Sequence, residues 1–105
     1  MKATKKNALA KRGWRIGNAN DFLQTTDEEA ALIELKLSLA ENLKARRQKN
    51  HLTQEQLAVL TESSQSRVAK MEAGDRSVSI ELLLRALLRL GATRREIAKM
   101  IGRAA

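Results

Sequence analysis

Three boxes of the form Thr-x-x-Glu or Thr-x-x-Gln punctuate the chain: Thr26 with Glu29, Thr53 with Gln56, and Thr93 with Glu96. In such a box the hydroxyl accepts the backbone amide three residues on while the longer side chain reaches back, so each one marks a helix start. No Pro or Gly falls between the first box and the second. The first helix should therefore run unbroken past Arg47, with Asp27 and Glu28 at its positive end and Arg46, Arg47 and Lys49 at its negative end. A polar break at Thr61-Glu62-Ser63-Ser64 ends a short second helix at about Leu60, and Ser63 or Ser64 caps a third. Gly74 stops the third helix, Ser79 opens a fourth that closes at Gly91, and the last box opens a fifth that ends at Gly102. The chain has no Pro and no Cys and is rich in Leu and Ala, which favours helices over sheets. The expected fold is all-α, with five helices and a long first one.

The apolar spacing predicts what packs. Leu32, Leu35, Leu39 and Leu43 form one stripe on the first helix, and Ile33, Leu37 and Ala40 form a second, rotated by about 100°. A surface helix needs only one stripe, so the second is expected to pack on the preceding arm or to form a homodimer seam. Ala58 is small enough to let the second and third helices cross closely, with Leu57, Val68 and Met71 filling the angle between them. Ile80, Leu83, Leu84, Leu87, Leu88 and Leu90 give the fourth helix a broad apolar face, and Ile97, Met100 and Ile101 should point inward from the fifth.

The formal charge of +8 and the isoelectric point near 10.5 call for a polyanionic partner without choosing among DNA, RNA and anionic membrane. The charge is unevenly spread. Residues 1–25 are expected to be a basic, largely flexible extension, with Trp14 to Leu23 folding back on the domain or on a second subunit. Residues 26–105 form the domain. The sequence has no apolar run of the ~20 residues that span a bilayer, and a cytoplasmic location is expected. Without Cys, and with His51 as the lone histidine, no metal site or cofactor is expected. The carboxylates Glu28, Glu29 and Glu34 lack a paired base or nucleophile, and helix-end electrostatics accounts for them better than catalysis; no enzyme is expected.

Over residues 53–74 the chain reads Thr-Gln-x-x-Leu-Ala, then Ser-Gln-Ser-Arg-Val, then Met-Glu-Ala-Gly. This resembles the helix-turn-helix of the lambda-repressor-like (Cro/C1, XRE) family. Gln54, Leu57, Ala58, Ser64, Val68, Met71, Glu72 and Gly74 stand at the motif's intervals. One position departs: Glu62 occupies the turn site commonly held by Gly, where positive φ would strain it, so either the turn shifts by a residue or the penalty is borne.

The start of a third helix so placed can enter the major groove, where donor and acceptor patterns distinguish all four base pairs. Gln65 suits adenine and Arg67 suits guanine; Ser66 is adaptable, and Lys70, one turn on, reaches guanine or a phosphate. Thr53, Ser64 and Arg76 are candidate phosphate contacts. The resemblance implies that Gln54 anchors a phosphate and that Arg47 pairs with Glu72 as a structural ion pair. It further implies a transcriptional regulator that binds double-stranded, palindromic operator DNA as a homodimer.

An N-terminal extension before such a motif is similar to HigA-type antitoxins, which repress their own operon and neutralise a cognate toxin protein. An alternative from another class stands beside this one: an interaction module whose main partner is a protein, with weak DNA contact.

Overall fold

The computed structural model describes residues 26–103. Over that span the fold is all-α, as expected, with α1 Asp27–Lys49, α2 Gln54–Leu60, α3 Gln65–Ala73, α4 Ile80–Arg89 and α5 Arg94–Arg103. The extension, including Trp14 to Leu23 and the basic cluster, lies outside the described residues.

The helix starts follow the boxes. Thr53 and Gln56 exchange both bonds, at 2.8 and 3.1 Å, and Thr93 and Glu96 do the same at 2.9 and 3.1 Å. At α1, the Thr26 hydroxyl accepts the Glu29 amide at 3.1 Å. Of the two candidate caps for α3 it is Ser64 that serves, accepting the Arg67 amide at 3.1 Å, and Ser79 accepts the Leu82 amide likewise.

Four helices stop in one way, each on a left-handed residue flanked by two bonds that recover orphaned carbonyls. After α2 the Ser63 amide donates to Ala58 at 2.8 Å and the Glu62 amide to Val59 at 3.2 Å. The corresponding pairs after α1, α3 and α4 run from Leu52 to Arg47 and His51 to Gln48, from Asp75 to Lys70 and Gly74 to Met71, and from Ala92 to Leu87 and Gly91 to Leu88. The left-handed residues are His51 (φ 57°), Glu62 (φ 53°), Gly74 (φ 67°) and Gly91 (φ 87°). The turn at Glu62 has therefore not shifted. Glu bears the conformation usually given to Gly, and α3 begins at Gln65.

The core joins Leu39, Ala40 and Leu43 of α1 to Leu57 and Ala58 of α2, Val68 and Met71 of α3, and Leu83, Ala86 and Leu87 of α4. Met100 of α5 and the loop residues Val78 and Ala92 complete it. Two polar contacts clasp α5 to α1: the Ser38 hydroxyl donates to the Met100 carbonyl at 3.0 Å, and Arg46 meets Glu96 at 2.6 Å.

Three residues expected inward face out: Leu32 is 53% exposed, Leu88 51% and Ile101 42%. In α4 the buried arc steps through Leu83, Ala86 and Leu87, and Leu88 lies a further ~100° around the helix. Leu32 sits near the start of a 23-residue helix, before the stretch from Leu37 to Leu43 that holds all its buried residues. The second stripe of α1 is divided. Leu37 and Ala40 are buried and approach Gly74 of the same chain, whereas Ile33 is half-buried in a shallow groove with Leu32, Lys36 and Ile80. Within the stripe assigned to an arm or dimer contact, only Ile33 keeps substantial surface.

Candidate nucleic-acid interface

The α2 and α3 pair is fixed from beneath. Leu57, Val68 and Met71 are fully buried between the helices and the rest of the core, with Ala58 at the close crossing. Burying that side of α3 turns the other outward, and Gln65, Ser66, Arg67 and Lys70 are all exposed. A groove of about 380 Å³ runs along this side, lined by Ser64, Ser66, Arg67, Lys70, Ser77 and Val78. Four residues singled out in the sequence thus share one concavity.

Ser77 joins them from the loop after α3 and was not expected. Asp75 positions it, accepting from the Ser77 amide at 2.9 Å and from its hydroxyl at 2.7 Å. Those bonds hold the Asp75 carboxyl below the usual aspartate range, with smaller help from Lys70 and Lys36. The Asp-x-Ser spacing of an Asx-type turn was legible in the sequence; that the loop would fold against α3 was not. Arg76, in the same loop, is exposed, and its carbonyl accepts from Lys36 Nζ at 3.4 Å. Burial lowers the pKa of that lysine.

Between α1, α2 and α3 lies a polar cluster. The expected Arg47–Glu72 ion pair is present: Arg47 Nε lies 2.5 Å from Glu72 Oε2, with side chains 12% and 3% exposed. The second terminal nitrogen of Arg47 donates to Glu72 Oε1 at 3.0 Å, and the remaining one donates to the Leu52 carbonyl at 2.7 Å. The bond to Glu72 raises the pKa of the guanidinium. Arg47 therefore ties the end of α1 to the end of α3 and to the chain entering α2, so the angle at which α3 is presented depends on it.

Gln54, the expected phosphate anchor, is held from both sides. Its Nε2 donates to Glu72 Oε1 at 3.1 Å, and its Oε1 accepts from Gln65 Nε2 at 2.7 Å. Thr53 is exposed but uses its hydroxyl oxygen on the Gln56 amide. His51 is exposed and forms the left-handed end of α1. Among the described residues no group of three or more His, Cys, Asp or Glu side chains is placed to hold a metal ion, and no helix is long and apolar enough to cross a membrane.

A second groove, of about 420 Å³, lies between the α2–α3 turn and α4, with Glu62, Leu82, Arg85, Leu88 and Arg89 on its walls. Arg89 reaches over to donate to the Leu60 carbonyl at 3.3 Å, and Val59 nearby in sequence is 78% exposed.

A family model described as helix-turn-helix matches residues 43–97, slightly more than half of the chain. The match covers the end of α1, all of α2, α3 and α4, and the start of α5. No curated protein and no solved structure matches the chain.

Proposed function

The chain belongs to the lambda-repressor-like (XRE) helix-turn-helix family of DNA-binding transcription regulators, and on that premise we propose that it is a dimeric repressor reading a palindromic operator through the start of α3. The observation that carries this reading is the exposed run Gln65, Ser66, Arg67 and Lys70 on a helix whose opposite side is locked into the core. Gln65 and Arg67 are assigned to base edges, Ser66 to either base or backbone, and Lys70 to guanine or phosphate. Ser64, Thr53, Gln54 and Arg76 are assigned to phosphates, and Ser77 joins that set because it lines the same groove. Two such helices in a two-fold dimer would meet half-sites about one turn apart, ~34 Å. Ile33, with Leu32 beside it, is the part of the α1 stripe still available for dimer contact.

The test is a gel shift against the region upstream of the chain's own gene. Selective binding is expected, and Gln65→Ala and Arg67→Ala should each reduce it. No sequence-selective binding, or binding indifferent to both substitutions, would sink the proposal.

One observation favours a second reading, the protein-interaction module: Leu88 leaves apolar surface exposed on the wall of the α4 groove, and Val59 and Leu60 are exposed apolar residues at the end of α2. The antitoxin role is the form in which both readings hold together, an operator-binding face on α3 and a toxin-binding surface elsewhere. A toxin-like open reading frame beside the gene, whose product co-purifies with the chain, supports it.

A further inference from the structure

One wall of the groove along α3 holds an anion of the chain's own. Asp75 accepts from both donors of Ser77, the amide at 2.9 Å and the hydroxyl at 2.7 Å, and Ser77 lines that groove together with Arg67 and Lys70. A backbone amide, a hydroxyl and a neighbouring ammonium are the donors that a DNA phosphate takes from a protein. Here a carboxylate has the first two. Serine carries one amide and one hydroxyl hydrogen, and a phosphate oxygen facing them can only accept. A phosphate therefore reaches Ser77 only by taking the place of Asp75. That exchange leaves the fold intact, because Asp75 and Ser77 are both exposed. The Asp75 amide donates to the Lys70 carbonyl at 3.0 Å and its carbonyl accepts the Val78 amide at 3.1 Å, so the main chain stays tied while the side chain turns away.

We propose that the Asp75 carboxylate occupies a DNA phosphate's seat on Ser77 in the free protein and yields it on binding, an internal competitor that restrains affinity. The inference rests on the DNA-reading face proposed above and on the assignment of Ser77 to a phosphate. Phosphates are the same in every sequence, so the restraint acts on all duplexes alike and leaves base preference untouched. In a chain of formal charge +8 it opposes the indiscriminate binding that charge alone drives.

The experiment measures Kd of the full chain and its variants for two duplexes of equal length, the region upstream of its own gene and a scrambled copy, with Tm recorded for each protein. Asp75→Ala should tighten binding to both duplexes by ~10-fold, the low end for a hydrogen bond to a charged group. Removing a negative charge near DNA tightens binding by itself, so Ser77→Ala separates the two causes. In the wild-type background Ser77→Ala should change Kd by less than ~2-fold, because the bond lost to phosphate and the bond lost to Asp75 offset one another. In the Asp75→Ala background it should weaken binding by ~10-fold, since only the phosphate bond is lost. An equal effect of Ser77→Ala in both backgrounds leaves plain charge repulsion and overturns the competitor. Asp75→Ala binding no tighter than wild type does the same, the carboxylate then being only a brace for the loop. Should Asp75→Ala lower Tm, Asp75→Asn decides in its place, because it keeps an acceptor for the Ser77 amide without the charge; it too should tighten binding to both duplexes. A wild-type chain that binds neither duplex overturns the DNA-reading face along with this inference, whereas every other failure leaves that face standing.

Discussion

Gly74 stands directly against Leu37: a Cβ on residue 74 would come within 2.6 Å of Leu37 Cδ2 and 3.7 Å of Ala40 Cβ. The end of the helix proposed to read DNA thus abuts the middle of α1 with no room for a side chain. Gly74→Ala pays twice, for a left-handed φ of 67° and for displacing a buried leucine methyl. A loss of about 2–3 kcal/mol is expected in urea unfolding. In a Leu37→Ala background the same substitution should cost only about 1–2 kcal/mol, the conformational part. Equal costs in the two backgrounds would show that the contact with Leu37 is immaterial.

Glu62 presents the opposite case. It holds a left-handed φ of 53° and is exposed, so its side chain gains nothing from burial. Glu62→Gly removes conformational strain of about 1–2 kcal/mol and gives back part of it through the more flexible unfolded chain. The net gain should be about 0.5–1 kcal/mol, raising Tm by a few degrees. An unchanged or lower Tm would contradict this.

Arg47 and Glu72 are a buried pair whose removal leaves one charge stranded. Arg47→Met should cost about 3–5 kcal/mol, and Glu72→Leu a similar amount. A double variant placing Met at 47 and Leu at 72 should recover much of the loss, because two apolar groups leave no charge unpaired. Chemical unfolding of the four proteins closes the cycle; independent, additive losses would refute a coupled pair.

Glu96 caps α5 and meets Arg46, and its pKa falls from the ordinary glutamate value of 4.5 to about 2. The Thr93 amide is the largest cause, and Arg46 follows. Because the folded pKa lies below the unfolded one, the stabilisation is fully present above pH 4.5 and is lost as pH falls toward 2. Wild-type stability should therefore decline through that window more steeply than that of Glu96→Gln. Parallel declines in Tm against pH would argue against the shift.

Base and phosphate roles separate by salt dependence. Arg76→Ala should weaken DNA binding about evenly across sequences and lower the slope of log K against log[salt] by about 1. Arg67→Ala should cost about 1–3 kcal/mol on the preferred site and relax preference at one base pair. If Arg76→Ala altered sequence preference while the salt slope stayed put, the two assignments would have to be exchanged.

Much of the fold could be read from the chain because its signals are local. Thr53 and Gln56, or Ser79 and the start of α4, involve residues three apart, and each cap formed where the spacing put it. The ion pair of Arg47 with Glu72 was legible only through resemblance, since no rule of spacing links residues on separate helices. What was missed depends on tertiary packing. Leu32, Leu88 and Ile101 belong to apolar stripes wider than the surface available to cover them, and periodicity does not say which edge of a stripe is left out. Ser77 was overlooked because its closeness to Arg67 and Lys70 depends on how the loop folds after Gly74. Gln54 was expected to face phosphate alone; that it also links Gln65 to Glu72 depends on the crossing of α2 and α3.

The clasp between α1 and α5 has a kinetic meaning. Arg46 and Glu96 are 50 residues apart, and Ser38 and Met100 are 62 apart, whereas Gln54 and Gln65 are separated by only 11. Short loops close at lower entropic cost than long ones, so the α2–α3 hairpin can assemble early from its own neighbourhood. The α1–α5 clasp then acts as a late latch. Substitutions at Ser38 or Glu96 should chiefly hasten the opening of the finished domain, leaving the rate at which the helical pair first forms almost untouched.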